Sequence, residues 1–118
     1  MDIQTNIFST PLSFIFSIDR GNIDNNLLQI PFIIEQYIDL SNYIEMKGCF
    51  TKFEIQAIIS ISLQENNKYV CFARSPVDKQ WYLYNDDNVI NTDINSIIYA
   101  HNNNGAFIPC ILLYQFMN

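Results

Sequence analysis

Apolar and polar residues alternate along most of the chain with the two-residue period of strands, and one short stretch reads as helix. Leu12 to Ile18 (LSFIFSI) alternates loosely, is rich in Phe and Ile, and predicts a strand closed by the turn-forming cluster Asp19-Arg20-Gly21-Asn22. Leu27 to Ile30 predicts a short strand stopped by Pro31. Tyr37 to Leu40 predicts another, with a turn or a single helical turn from Ser41-Asn42-Tyr43. The longest run, Lys52 to Leu63 (KFEIQAIISISL), predicts a long strand with Phe53, Ile55, Ala57, Ile59 and Ile61 on one face. Ile58 on the other face implies partial burial there too. A polar loop, Gln64 to Asn67, leads into Lys68 to Arg74 (KYVCFAR), the hairpin partner of the long strand.

Ser75-Pro76-Val77-Asp78 turns the chain into Gln80 to Asn85, with Trp81 and Leu83 on one face and Tyr82 and Tyr84 on the other. Asp86-Asp87-Asn88 is a turn, and Val89-Ile90 a short strand. Thr92 or Asp93 is placed to N-cap a helix over Ile94 to Ala100, which Asn102 to Gly105 ends. Ile108 to Phe116 is the final strand. The fold class expected is α+β, a mainly antiparallel sheet with one or two short helices. Residues 1–118 read as one domain, with residues 1–10 as a flexible N-terminal extension.

Composition narrows the function classes. The chain has 118 residues, 49% of them hydrophobic and 15% charged. That is enough apolar material for a core and too little charge for a disordered chain. The net charge of −6 argues against nucleic-acid binding, which needs a clustered basic surface. The apolar runs are far shorter than the ~20 residues of a membrane span, and Asp2 with no basic flank does not make a signal peptide. Three cysteines, Cys49, Cys71 and Cys110, with no CxxC spacing suit reduced thiols in a cytoplasmic or nuclear setting. No metal site and no cofactor is expected.

Few residues stand out chemically. The cysteines lie among apolar neighbours and read as small buried hydrophobes; Cys49, after Met46-Lys47-Gly48, is the most exposed by context. The single histidine, His101, follows the helix, where a cation favours the terminal carbonyls. Asp86-Asp87 reads as a turn rather than an acid/base pair. Trp81, Tyr82, Tyr84, Tyr69 and Phe72 read mostly as cross-strand core.

The order of these segments carries more than any one of them. FIFSIDRG, LLQIPF, YIDLSNYI, FEIQAIISISL, KYVCFARS, WYLYNDDNV and CILLYQF follow one another in a series that resembles the C-terminal half of the ubiquitin-specific proteases. These are papain-like cysteine proteases that cleave the isopeptide bond after the C-terminal glycine of ubiquitin. The resemblance spans roughly Pro11 to Phe116. In that family the strand after the short loop opens Gly-His-Tyr, and its His deprotonates the nucleophilic Cys. The matching triplet here is Asn67-Lys68-Tyr69, so Lys68 stands at the His position. The family's orienting Asp or Asn falls at Asn85, 17 positions on, and Asp86 matches the acid that follows it. The loop that flanks the channel for the ubiquitin tail corresponds to Asn66, Asn67, Lys68 and Tyr69, with asparagines where the family has glycines, which adds bulk. No Gly-x-Thr-Cys box occurs in the 118 residues.

A lysine ammonium, with an ordinary pKa of about 10.4, cannot take a thiol proton near neutral pH as an imidazole does. The resemblance therefore implies an inactive protein-interaction module in ubiquitin-linked biology, with no residue expected to act catalytically. Two other readings stay open: a deubiquitinating thiol hydrolase fragment completed by a missing N-terminal half, and a structural subunit of a larger assembly with no ubiquitin role. In the family fold the sheet packs on a helical half. An apolar face is therefore expected here, covered by a protein partner (ubiquitin, the missing half-domain or an assembly), by self-association into a homo-oligomer, or by Met1 to Thr10.

Overall fold

The computed structural model describes residues 13–18, 34–42, 52–104 and 106–117. Among these residues seven strands form one antiparallel sheet: β1 (Ser13–Ser17), β2 (Tyr37–Asp39), β3 (Lys52–Ser62), β4 (Lys68–Arg74), β5 (Trp81–Asn85), β6 (Asn88–Thr92) and β7 (Phe107–Phe116). Their order is β1-β7-β3-β4-β5-β6, and β2 adds to the start of β3 at Lys52 to Glu54. Among the described residues one short helix, α1 (Ile94–Tyr99), packs on the sheet. The architecture is thus the expected α+β sheet. The expected strand at Leu27–Ile30, the turn at Asp19–Asn22, Cys49 and Met1–Thr10 lie outside the described residues.

The strands form where β-branched and aromatic residues alternate. β3, β4 and β5 are consecutive hairpin neighbours, and β7 closes against the other side of β3 over nearly its whole length. The core lies on one face, where Phe53, Ile55, Ile58, Val70, Phe72, Trp81, Leu112 and Tyr114 meet Ile97 of α1 and Ile34. Each such side chain contributes about 1.5–3 kcal/mol relative to exposure. The Tyr114 hydroxyl reaches the Glu35 carbonyl at 2.5 Å, which satisfies its polar end.

The single face expected for Phe53, Ile55, Ala57, Ile59 and Ile61 is corrected by the register. Pairing passes from Ile55↔Tyr114 to Ala57↔Leu113, so Gln56 is an extra residue on β3. One extra residue inverts the alternation beyond it. Phe53 and Ile55 precede the bulge and are fully buried in the core; Ile58 and Ser60 take that face after it. Ala57, Ile59 and Ile61 therefore point to the second face, where Ile61 and Ile108 make a small cluster with Leu63 and Cys110.

Asp93, rather than Thr92, caps α1: its carboxylate accepts from the Ser96 amide at 2.9 Å and from the Ser96 hydroxyl at 3.0 Å. The helix does not stop at Asn102. It widens into a π-helical turn over Ala100–Asn104, and the Asn102 side chain accepts from the Ile34 amide at 3.3 Å. Buried Ile97 and His101 face the sheet from this segment.

Candidate functional site

Two loops meet at one end of the sheet because β3 to β6 run alternately up and down. The first joins β3 to β4 through a 3-10 turn, Leu63–Glu65, and Asn66-Asn67. The second is the Asp86-Asp87 turn between β5 and β6. Asn66 and Asn67 have φ of 56° and 59°, and Asp86 has φ of 53°. Positive φ is costly for most residues, and Asn and Asp tolerate it best. The two asparagines thus adopt a backbone state that glycine would also supply.

Two polar bridges tie these loops together. The Lys68 ammonium is ion-paired with the Asp86 carboxylate, and the Asn85 amide donates to the Glu65 carboxylate at 2.7 Å. Lys68 and Asn85 occupy neighbouring strands at the same sheet end, but their partners are Asp86 and Glu65. Tyr69 points to the opposite face and is 61% exposed. Glu65 escaped the sequence reading, since a lone acid in a polar loop carries no spacing signal.

The histidine reading is also corrected. His101 is only 3% exposed and does not act as a charged helix cap. Its Nδ1 lies 2.8 Å from the Ile97 carbonyl, so it must donate there. Nε2 is then left to accept from the Ser60 hydroxyl at 2.7 Å. Burial pushes the imidazole below its ordinary pKa, and the bond to Ile97 opposes this in part. The rings of Phe72 and Phe107 lie against it. Ser60 is fully buried, so this serine–histidine pair is a core lock between β3 and the π-helical turn that follows α1, closed to substrate.

Cys71 is half-buried, and desolvation raises its thiol pKa, which favours the protonated, unreactive form. Cys110 is half-buried as well. Among the described residues no group of three or more His, Cys, Asp or Glu is arranged to hold a metal ion. No helix among them is long and apolar enough to cross a membrane. The aromatic residues divide: Phe72 and Trp81 are buried in the core, whereas Tyr69 and Tyr84 are exposed. An open groove of about 650 Å³ is lined by Glu54, Ala57, Arg74, Lys79, Leu113 and Phe116. Arg74 and Glu54 pair within it at 3.3 Å. It sits at the far end of β4 from Lys68, so it does not belong to the two-loop site.

No protein-family model matches the sequence, and no curated protein matches it. Solved structures do. The chain is similar to one in the SAGA DUB module of Ubp8, Sgf11, Sus1 and Sgf73 bound to monoubiquitin, with a TM-score of 0.67 and 17% identity over 92% of this chain and 24% of that one. A yeast SAGA DUB module carrying an Sgf73 mutant gives a TM-score of 0.67 at 16% identity, with the same coverage of 92% and 24%. The chain thus spans about a quarter of the length of the chains it matches. At this identity the likeness is one of fold, and the fold is like that of a segment of a ubiquitin-specific protease.

Proposed function

We propose that the chain is a ubiquitin-specific-protease-like interaction module that does not hydrolyse ubiquitin conjugates by itself. Lys68 carries this reading. It opens β4 at the position where the family resemblance expects histidine, and its ammonium is engaged by Asp86. An ion-paired ammonium has three donors and no lone pair for a thiol proton, so the proton path from thiol to leaving amine has no carrier. Asn85, at the orienting position, is occupied by Glu65. Cys71, with its raised thiol pKa, offers no replacement nucleophile.

Ubiquitin is the first partner to test, because one of the structurally similar modules is bound to monoubiquitin. Titration of isotope-labelled ubiquitin with the chain should shift a contiguous set of ubiquitin resonances and leave its C-terminal conjugates uncleaved. A second reading, a subunit of a larger assembly, draws on the same neighbours being modules of several proteins. Absence of any shift at millimolar chain would favour that subunit reading over ubiquitin binding.

A further inference from the structure

β6 is an edge strand with no pairing partner on its outer side among the described residues. Its sequence, Asn88-Val89-Ile90-Asn91-Thr92, holds no proline, glycine or charged residue. Proline and charged side chains are among the devices that normally keep a sheet edge from accepting another strand. Alternate residues of such a strand direct their N–H and C=O groups outward, unpaired.

The register says what would fit there. On the core face, Leu112, Ile58, Phe72, Leu83 and Ile90 stand in one cross-strand row. On the second face, Ile111, Ile59, Cys71, Tyr84 and Val89 form the adjacent row. Both rows are apolar to their last member, and both end on β-branched side chains that are 55% exposed at Ile90 and 56% exposed at Val89. One more strand with two consecutive apolar residues would extend both rows at once. The ends of β6 are flanked by exposed Asp87 and Asp93. A second copy of this chain, paired antiparallel about Ile90, would set Asp87 of each copy opposite Asp93 of the other, and the chain already carries a net charge of −6. Like charges directly opposite disfavour that pairing. The complementary occupant has cations at those two positions.

We infer that β6 is a strand-addition site for an extended segment of a partner protein. That segment has an adjacent pair of β-branched or aliphatic residues at its centre and Lys or Arg three residues before and two after it. This inference stands apart from ubiquitin binding, since it concerns the outer edge of the β5–β6 hairpin.

The test uses the full chain, isotope-labelled, and the synthetic peptide acetyl-Lys-Thr-Thr-Val-Val-Thr-Lys-amide. Antiparallel alignment puts its two Val opposite Ile90 and Val89 and its two Lys opposite Asp93 and Asp87. Saturable amide shifts and slowed hydrogen exchange confined to β6 and its flanking turns are expected. The same peptide with Glu at both ends should bind at least tenfold more weakly, as should the Ile90→Lys chain, whose unchanged circular dichroism shows that it folds. Raising salt from about 0.15 to 0.5 M should weaken the Lys peptide. Absence of shifts at millimolar peptide, equal binding of the Lys and Glu peptides, shifts centred elsewhere, or a β6-mediated dimer of the chain alone would each overturn the inference.

Discussion

Lys68 and Asp86 are ion-paired at the end of the β4–β5 strand pair, with their side chains 36% and 71% exposed. The pair closes the gap between the β3–β4 loop and the β5–β6 turn. It also fixes the chemistry of the position, because the amine donates to a carboxylate. Exposed pairs of this kind contribute about 0.2–1 kcal/mol. Asp86→Asn should therefore lower the unfolding free energy by less than about 1 kcal/mol in urea titrations. A loss of several kcal/mol would make the pair a structural keystone instead.

The Ser60–His101 lock should matter far more. Ser60→Ala removes the hydroxyl that donates to Nε2 and leaves a buried acceptor without its partner, at a cost of about 1–3 kcal/mol. Equilibrium denaturation near pH 8 measures this directly. A change within error would mean that the bond contributes nothing net.

His101 also sets a pH dependence. Its native pKa lies below the ordinary 6.5, so between those two values the unfolded chain binds more protons than the folded one. Stability from this group is complete above about pH 6.5 and declines as pH falls through the window toward the lowered native pKa. Urea midpoints from pH 8 to 5 should drop on the acid side of that value. In His101→Gln the decline over this window should be smaller, even though the variant is less stable overall. An equal decline in both proteins would assign the effect to other groups.

The loop asparagines give a backbone test. Asn67 has φ of 59°, so Asn67→Gly should be tolerated within about 0.5 kcal/mol, while Asn67→Val should cost about 1–2 kcal/mol. Thermal denaturation of the two variants checks the order. The reverse order would contradict the left-handed geometry.

Much of this fold was legible from the alternation alone. Lys68–Arg74 has the expected bounds, and β5 and β7 differ from them by one residue, because their apolar periods are regular and their turns hold Pro, Asp and Asn. The Gln56 bulge was not legible, because a run with Ile at 55, 58, 59 and 61 fits either face after a slip of one residue. His101 was misread because its position after a helix suggests a charged cap, and only the tertiary contact with Ser60, 41 residues away, reveals the neutral ring. The candidate site was legible as positions: Lys68, Asn85 and Asp86 do gather at one sheet end. Their partners were not, since Glu65 meets Asn85 only across a separation of 20 residues that the tertiary fold closes.

The central claim is binding without cleavage, and one titration reads both. Ubiquitin carrying a fluorophore on its C-terminal glycine through an amide bond is mixed with increasing amounts of the chain, and anisotropy is followed over hours. A saturable rise that then holds steady is the result predicted. A fall toward the value of the free dye, abolished by Lys68→Ala, would show hydrolysis through the very residue held to prevent it, and an anisotropy that never moves would show that ubiquitin is not the partner.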